Sequence, residues 1–313
     1  MFGKLFGALR AKKAEPEAKT NAPISESLEL NDIYEGLKKK LHEPVPADLI
    51  RFVAGKETLG YIKKDVAIRL CSYTNDFRLT NVLTMSPEAA FDFASRNKAL
   101  NEAYEILLRT GLAYKNDELL DIRPTPSDPI WARVPRGLCR VMGLMTQTVR
   151  LTAYDSEGRL VLGKRAEGKK VDPGQWDCMA GGMVAACEQV EAAVFREAYE
   201  EAGLTTVELA NIVDGGHYVE ERAVPEGWLR EHVVNFDVIL QADAHLQNHP
   251  DDVSEFATKT EEEVLALIAA GKTVPGSGMC MLESLARRKD KRFEDGFISY
   301  RRLRPVKDYS YIV

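Results

Sequence analysis

Residues 182–204 read GMVAACEQVEAAVFREAYEEAGL, and their spacing decides how the rest of the chain is understood. Gly182 is followed by Glu188, then by Arg196-Glu197, Glu200-Glu201 and Gly203-Leu204. On a helix turning about 100° per residue, Glu197, Glu200 and Glu201 fall at i, i+3 and i+4 and share one face. Phe195, Tyr199 and Ala202 are expected on the opposite face, packed against a sheet. Gly203 stands where a helix end favours a left-handed residue. Three carboxylates on one face repel one another, and a hard divalent cation with oxygen ligands would offset that repulsion. Magnesium, held typically by one or two carboxylates plus substrate phosphates, is the cation expected, with manganese as the alternative. Arg196 can pair with Glu200 at i+4 or reach back to Glu188.

This stretch resembles the Nudix box, G-x5-E-x7-R-E-U-x-E-E-x-G-U with U apolar. Gly182, Glu188, Arg196, Glu197, Glu200, Glu201, Gly203 and Leu204 all match, and only Ala198 departs, standing where a larger aliphatic residue is usual. The resemblance implies an α/β fold, a Nudix α/β/α sandwich with a mixed sheet. It implies magnesium-dependent hydrolysis of a diphosphate linked to another group. Glu197 and Glu201 are then the metal ligands, with Glu200 a further ligand or the base that orients water. The Gly182 carbonyl is a main-chain ligand, and Glu188 and Arg196 fix the carboxylates in place.

The composition excludes several other classes. At 313 residues, 45% apolar and 29% charged, the chain can hold two modest cores. A net charge of −6 gives no general reason to expect nucleic acid as a partner. No apolar run is long enough for a membrane span. Five scattered cysteines fit a reducing cytoplasm better than a disulfide framework, and the five histidines form no zinc-ligand spacing with them. The partner expected is a small-molecule diphosphate, with homodimerisation left open.

Four segments are expected: a basic tail over 1–26, an α+β accessory domain over 27–135, the Nudix domain over 136–290 and an extension over 291–313. In the accessory domain, 32–42 reads as a helix, RFVAGKETLGYI (51–62) as part of a hairpin, and FRLTNVLTM (77–85) as one strand. Ser86-Pro87 is expected to start a long helix closed by Gly111, and LLDIR (119–123) a strand. PTPSDP (124–129) marks a boundary, followed by a bridging segment over 131–144. QTVRLTAY and VLGKR then form two strands around the turn DSEGR. Lys164 and Arg165, with Lys169 and Lys170, could steer a diphosphate toward the box, and Trp176 joins Lys164 and Arg165 as a candidate substrate contact. After the box, 207–222 and 228–241 read as strands, and NHPDDVSEF (248–256) as a loop whose Asp252 and Glu255 are candidates for one more acid. Thr260 and Glu263 form a capping box for the helix that follows, and 277–288 reads as a last helix.

A narrower resemblance covers most of residues 28–270, to Nudix proteins with an N-terminal domain related to thiamine pyrophosphokinase. It rests on RFVAGKETLGYI, on LLRTGL with NDELLDI after it, and on PGQWDCMAGGMVAA. It implies a diphosphatase acting on thiamine diphosphate or its damaged analogues, giving a monophosphate and phosphate. No GxxxxGK[ST] loop is present, so no kinase chemistry follows. The alternatives are an ADP-ribose or nucleotide-sugar pyrophosphatase, an isomerase resembling isopentenyl diphosphate isomerase that would use Cys178, and a sensing module that binds without turnover. An intact box speaks against the last two.

Overall fold

Two sheets, each with its own apolar core, organise the chain in a computed structural model that describes residues 30–289 and the short strand 301–302. The expected tail over 1–26 and, apart from that strand, the extension over 291–313 lie outside the described residues.

After helix α1 (Leu30–Leu41) come β1 (Leu49–Ala54) and β2 (Glu57–Lys63), a hairpin turning at Gly55, then α2 (Lys64–Cys71). The segment 77–85, read as one strand, is a hairpin of β3 (Phe77–Leu79) and β4 (Leu83–Met85). Its short turn carries polar Thr80 and Asn81, which break the apolar run. The long helix α3 (Phe93–Arg109) starts later than Ser86-Pro87. Asp92 caps it by accepting from the Ser95 N–H at 2.8 Å, while the Ser86 hydroxyl accepts from the Ala89 N–H at 3.2 Å in a separate turn. Strands β5 (Leu119–Ile122) and β6 (Ala132–Pro135) pair with each other, and α4 (Arg136–Met142) follows, so the expected bridging segment is itself structured.

The first sheet has the order β2-β1-β4-β3. Phe52, Leu59, Ile62, Leu83 and Met85 from it are buried against α2, α3 and α4 through Leu70, Leu100, Leu107 and Met142. Each such side chain contributes about 1.5–3 kcal/mol of burial.

The second sheet is built from β7 (Met145–Tyr154), β8 (Leu160–Arg165), β9 (Trp176–Asp177), β10 (Ala180–Met183), β11 (Val213–Val224), β12 (Gly227–Ile239), β13 (Val253–Lys259) and β14 (Arg301–Arg302). Its main path runs β13-β8-β7-β12-β11-β14, with β10 on β7 and β9 on β8. β7 and β12 are parallel and the other pairs antiparallel, so the sheet is mixed. Residues 207–211, expected at the start of a strand, are turns, and the strand begins at Val213. Glu255, expected in a loop, lies in β13, whose pairing with β8 draws this acidic segment into the sheet.

Strand alternation gives β7 two different faces. Val149, Leu151 and Ala153 pack on α5 (Val190–Ala202) through Val194, Phe195, Ala198 and Ala202. Tyr199 departs from expectation: it is 61% exposed, because the stripe that meets the sheet runs through Ala198. Ala198 is fully buried there, so its small size allows close approach of helix and sheet. The other face carries Thr146, Thr148, Arg150, Thr152 and Tyr154, all buried. α7 (Pro275–Arg288) covers the Tyr154 end of that face, and α1 packs on α7, far from the first sheet that follows it in sequence. α6 (Glu261–Ala269) carries the expected capping box of Thr260 and Glu263.

Candidate active site

The box folds as a strand, a loop and a helix, with α5 closed by Gly203 in the left-handed conformation at φ 70°. The Gly203 and Leu204 N–H groups return to the carbonyls of Tyr199 and Ala198 at 2.9 and 3.2 Å. This fixes the helix axis, and with it the direction of the carboxylates.

Arg196 is the hub. Its Nε and Nη2 donate to the two oxygens of Glu188 at 2.8 and 3.0 Å. Nη2 also donates to the Met183 carbonyl at 2.9 Å, and Nη1 donates to Glu197 at 2.8 Å and Glu200 at 2.9 Å. Five contacts use the five N–H donors of a guanidinium. Hydrogen bonding to Glu188, together with the charges around it, holds Arg196 firmly protonated. Glu188 also accepts from the Ala185 N–H at 2.9 Å, closing its own loop.

Glu197 and Glu201 turn inward. A Cβ on Gly182 would collide with the Glu197 carboxylate, so only glycine lets that carboxylate lie against the main chain. Thr148 Oγ1 donates to the Gly182 carbonyl at 2.7 Å, and the Gly181 N–H donates to Glu201 at 2.9 Å. Burial and the neighbouring Glu197 charge push the Glu201 carboxyl up to about 8, against the opposing Gly181 hydrogen bond. Burial likewise raises Glu197, against the pull of Arg196. Glu200 differs: its side chain is 54% exposed and held on the outer flank by Arg196.

These donors suit a hard divalent cation. Two half-buried carboxylates and a main-chain carbonyl offer oxygen atoms of the kind such a cation takes, and the raised carboxyl of Glu201 marks negative charge that a cation would relieve. Among the described residues no three His, Cys, Asp or Glu side chains already converge as a metal-holding group. Carboxylates so few leave further positions to water and phosphate oxygens, which is the habit of magnesium.

The other candidates gather separately. Arg165 donates to Asp177 at 2.9 Å and to the Val171 carbonyl at 3.1 and 3.3 Å, so its guanidinium holds the loop before β9. The Lys164 ammonium lies 5.8 Å from the Trp176 ring centroid and that of Lys259 5.7 Å, while the ring packs on the core beneath α1 and α7. Asp252 pairs with Lys169, and its charge, like that of Asp177, reaches Glu201. Glu255 is exposed. Cys178 is buried, its Sγ 3.7 Å from Thr152 Oγ1 and 3.8 Å from the Ser277 carbonyl, as a packed thiol would be.

Sequence reading missed the polar floor beside the box. Buried Arg150 and half-buried Asp177 pair at 3.5 Å, and Ser277 also donates to Asp177. Burial works to raise Asp177, but the guanidiniums of Arg150 and Arg165 outweigh it and hold the carboxyl below its usual range. The available signal was a lone arginine inside the otherwise uncharged strand QTVRLTAY. Also missed was Asp121 of β5, which accepts from the Cys187 N–H at 3.0 Å and from Arg133 at 2.8 Å. Beside it the Ala186 N–H donates to the Leu119 carbonyl at 2.8 Å. The box loop is thus stitched to the N-terminal unit.

The NUDIX domain profile matches residues 145–274, which takes in the second sheet from β7 to β13, the box and α6. YfcD of Escherichia coli, a Nudix hydrolase, is 31% identical over 135 residues, covering 43% of this chain and 70% of YfcD. The chain belongs to the Nudix hydrolase family. A second Nudix relative, the chloroplastic Nudix hydrolase 24 of Arabidopsis thaliana, is 24% identical over 221 residues, 59% of this chain and 58% of that protein. The chain spans 51% and 58% of the length of two of the curated relatives it matches. Among solved structures, DR0079 from Deinococcus radiodurans is 25% identical with a TM-score of 0.40, covering 55% of this chain and 98% of that one. Among the described residues of this Nudix protein no helix is long and apolar enough to cross a membrane, and all five cysteines are free thiols.

Proposed function

We propose that this Nudix protein hydrolyses the phosphoanhydride bond of a small organic diphosphate, releasing a monophosphate and phosphate. The observation that carries the reading is the pairing of two half-buried carboxylates, Glu197 and Glu201, beside Gly182 and Gly181. In this reading Glu197, Glu201 and the Gly182 carbonyl hold magnesium, or manganese in its place, with Glu200 as a further ligand or water-orienting base. A bound divalent cation would neutralise phosphate charge and lower the pKa of a coordinated water.

The chain's own groups do the positioning. Arg196 and Glu188 lock the carboxylates so that their orientation is set before substrate arrives, which spares reorganisation during reaction. Thr148 fixes the direction of the Gly182 carbonyl. Thiamine-type diphosphates are the substrate class proposed first, on the resemblance of residues 51–62, 107–122 and 173–186 to thiamine pyrophosphokinase-related Nudix proteins.

The test is phosphate release with magnesium across thiamine diphosphate, its oxo analogue, ADP-ribose, nucleotide sugars and dinucleotides, with Glu201→Gln beside the wild type. Turnover of thiamine compounds that chelation and Glu201→Gln both abolish is the expected result. Turnover confined to ADP-ribose or a nucleotide sugar would keep the site and discard the substrate. Turnover that survives both chelation and Glu201→Gln, or none on any compound, would overturn the reading.

A further inference from the structure

Strand β9 pairs with β8 and strand β10 with β7, so the chain changes neighbour between Asp177 and Ala180. The box glycines follow directly. Gly181 stands opposite Arg150 of β7, and its N–H donates to Glu201 at 2.9 Å. A Cβ added to Gly181 would come within 2.7 Å of the Val149 carbonyl oxygen, so the two backbones touch there. No side chain lies between them to absorb a shift. The path of the crossing therefore sets the aim of the Gly181 N–H and of the Gly182 carbonyl.

Asp177 holds that crossing. Its carboxylate accepts from the Cys178 N–H at 2.8 Å, from Arg165 of β8 at 2.9 Å and from Ser277 in the first turn of α7. Arg150 reaches it from β7 at 3.5 Å, and the Met179 N–H donates to the Leu151 carbonyl of β7 at 3.1 Å. These links close a ring. Main chain runs from Asp177 to Gly181, the ladder joins Gly181 to Arg150, and the ion pair returns from Arg150 to Asp177.

The ion pair closes the ring at a cost in desolvation. The Arg150 and Asp177 side chains are only 10% and 15% exposed, and Arg150 Nε has no hydrogen-bond partner. Two charges taken this far out of water seldom add stability over an apolar pair of the same size, and their best-attested use is to fix register. Arg150 Nη2 also lies near Gly276, beside the buried Glu220 carboxylate. Glu220 has a second arginine, Arg222, at 3.5 Å, so it keeps a counter-charge without Arg150.

We propose that Asp177, acting through Arg150, is a positioning residue for the box: the pair fixes the crossing from β9 to β10 and so aims the Gly181 N–H at Glu201 and the Gly182 carbonyl beside it. The proposal rests on the hydrolase reading for what the aimed groups hold. Metal binding and melting test it apart from turnover.

Asp177→Asn, Arg150→Met and the double variant would be compared with the wild type in three assays. These are thermal melts, binding of manganese alone followed by paramagnetic resonance, and magnesium-dependent hydrolysis of thiamine diphosphate and ADP-ribose. Asp177→Asn should melt lower, because Arg150 stays buried with one counter-charge fewer. The double variant, lacking both charges, should regain most of that loss. Manganese affinity should nevertheless fall about tenfold in Asp177→Asn and in the double variant alike, with kcat lowered more than KM.

Weak manganese binding in the double variant beside a recovered melting temperature supports the positioning role, since a merely structural pair would restore both. Binding that follows the melting temperature through all three variants, or stays at the wild-type level in Asp177→Asn, overturns the role and leaves the hydrolase reading standing. A wild type that binds no manganese overturns the hydrolase reading and the positioning role together.

Discussion

The N–H of Cys187 donates to the Asp121 carboxylate at 3.0 Å, and this bond ties the loop that presents Glu188 to a strand of the N-terminal unit. Cys187 takes the left-handed conformation at φ 66°, which L-residues adopt only when surroundings hold them there. Asp121 also anchors Arg133, so one carboxylate serves both β6 and the box.

Asp121→Ala should therefore cost stability and activity together. Losing hydrogen bonds to a half-buried carboxylate costs about 1–3 kcal/mol, and a loosened loop should lower kcat/KM by about tenfold. Asp121→Asn keeps an acceptor oxygen for Cys187 and should retain more of both. Thermal melts beside phosphate-release assays check this, and unchanged turnover in a destabilised Asp121→Ala would show that the loop holds itself.

Arg196→Lys should be far from conservative. Lysine keeps the charge but cannot grip both oxygens of Glu188 while also reaching Met183, Glu197 and Glu200. A fall in turnover of about 10- to 100-fold is expected, with weaker magnesium dependence. Titrating activity against magnesium would reveal a role for charge alone if Arg196→Lys matched the wild type.

Gly182→Ala should displace Glu197 with little effect on the strand, since Gly182 pairs with Val149 in a regular antiparallel ladder. The three atoms nearest to the new methyl group all belong to the Glu197 carboxylate. Misplacement on the order of 1 Å can cost about 100-fold in rate, so kcat/KM is expected to drop steeply while circular dichroism and the fold persist. Retention of most activity would place the working carboxylate elsewhere.

His232 carries a pH prediction independent of the box. Burial, then the charges of His217 and Arg123, press its pKa down from 6.5 to about 4. Its Nε2 lies 3.2 Å from His217 Nδ1, and its Nδ1 3.1 Å from the Gln147 amide. A folded pKa below the unfolded one means the unfolded chain binds the proton more readily. The stabilisation is present above about pH 6.5 and is lost as pH falls toward 4. Proton NMR titration should place His232 near 4, and His232→Gln should flatten the melting temperature over that window. A midpoint near 6.5 would remove the basis for the effect.

Much of the box was legible because its information is local. Glu197, Glu200 and Glu201 are brought to one side of a helix by helical geometry alone, Gly203 ends that helix, and Glu188 stands just before the same helix, eight residues from Arg196. Thr260 and Glu263 were readable for the same reason. Local reading failed where two options were locally equal. Tyr199 suits either face of α5, and only packing of Ala198 on β7 left it outside. Ser86-Pro87 and Asp92 are both fair helix starts, and the chain uses the second.

By itself, then, the sequence determined the groups of the box: the carboxylates, their order along the chain and the arginine that holds them. Tertiary structure alone decided what surrounds them. Ladder register sets Gly182 opposite Val149 and Arg150 beside Asp177, and chain crossing brings Asp121 to Cys187 and Tyr114 to Lys170. Those partners are 27 to 66 residues apart. No helical or strand period relates positions so distant, so their meeting is decided by how the two cores pack together.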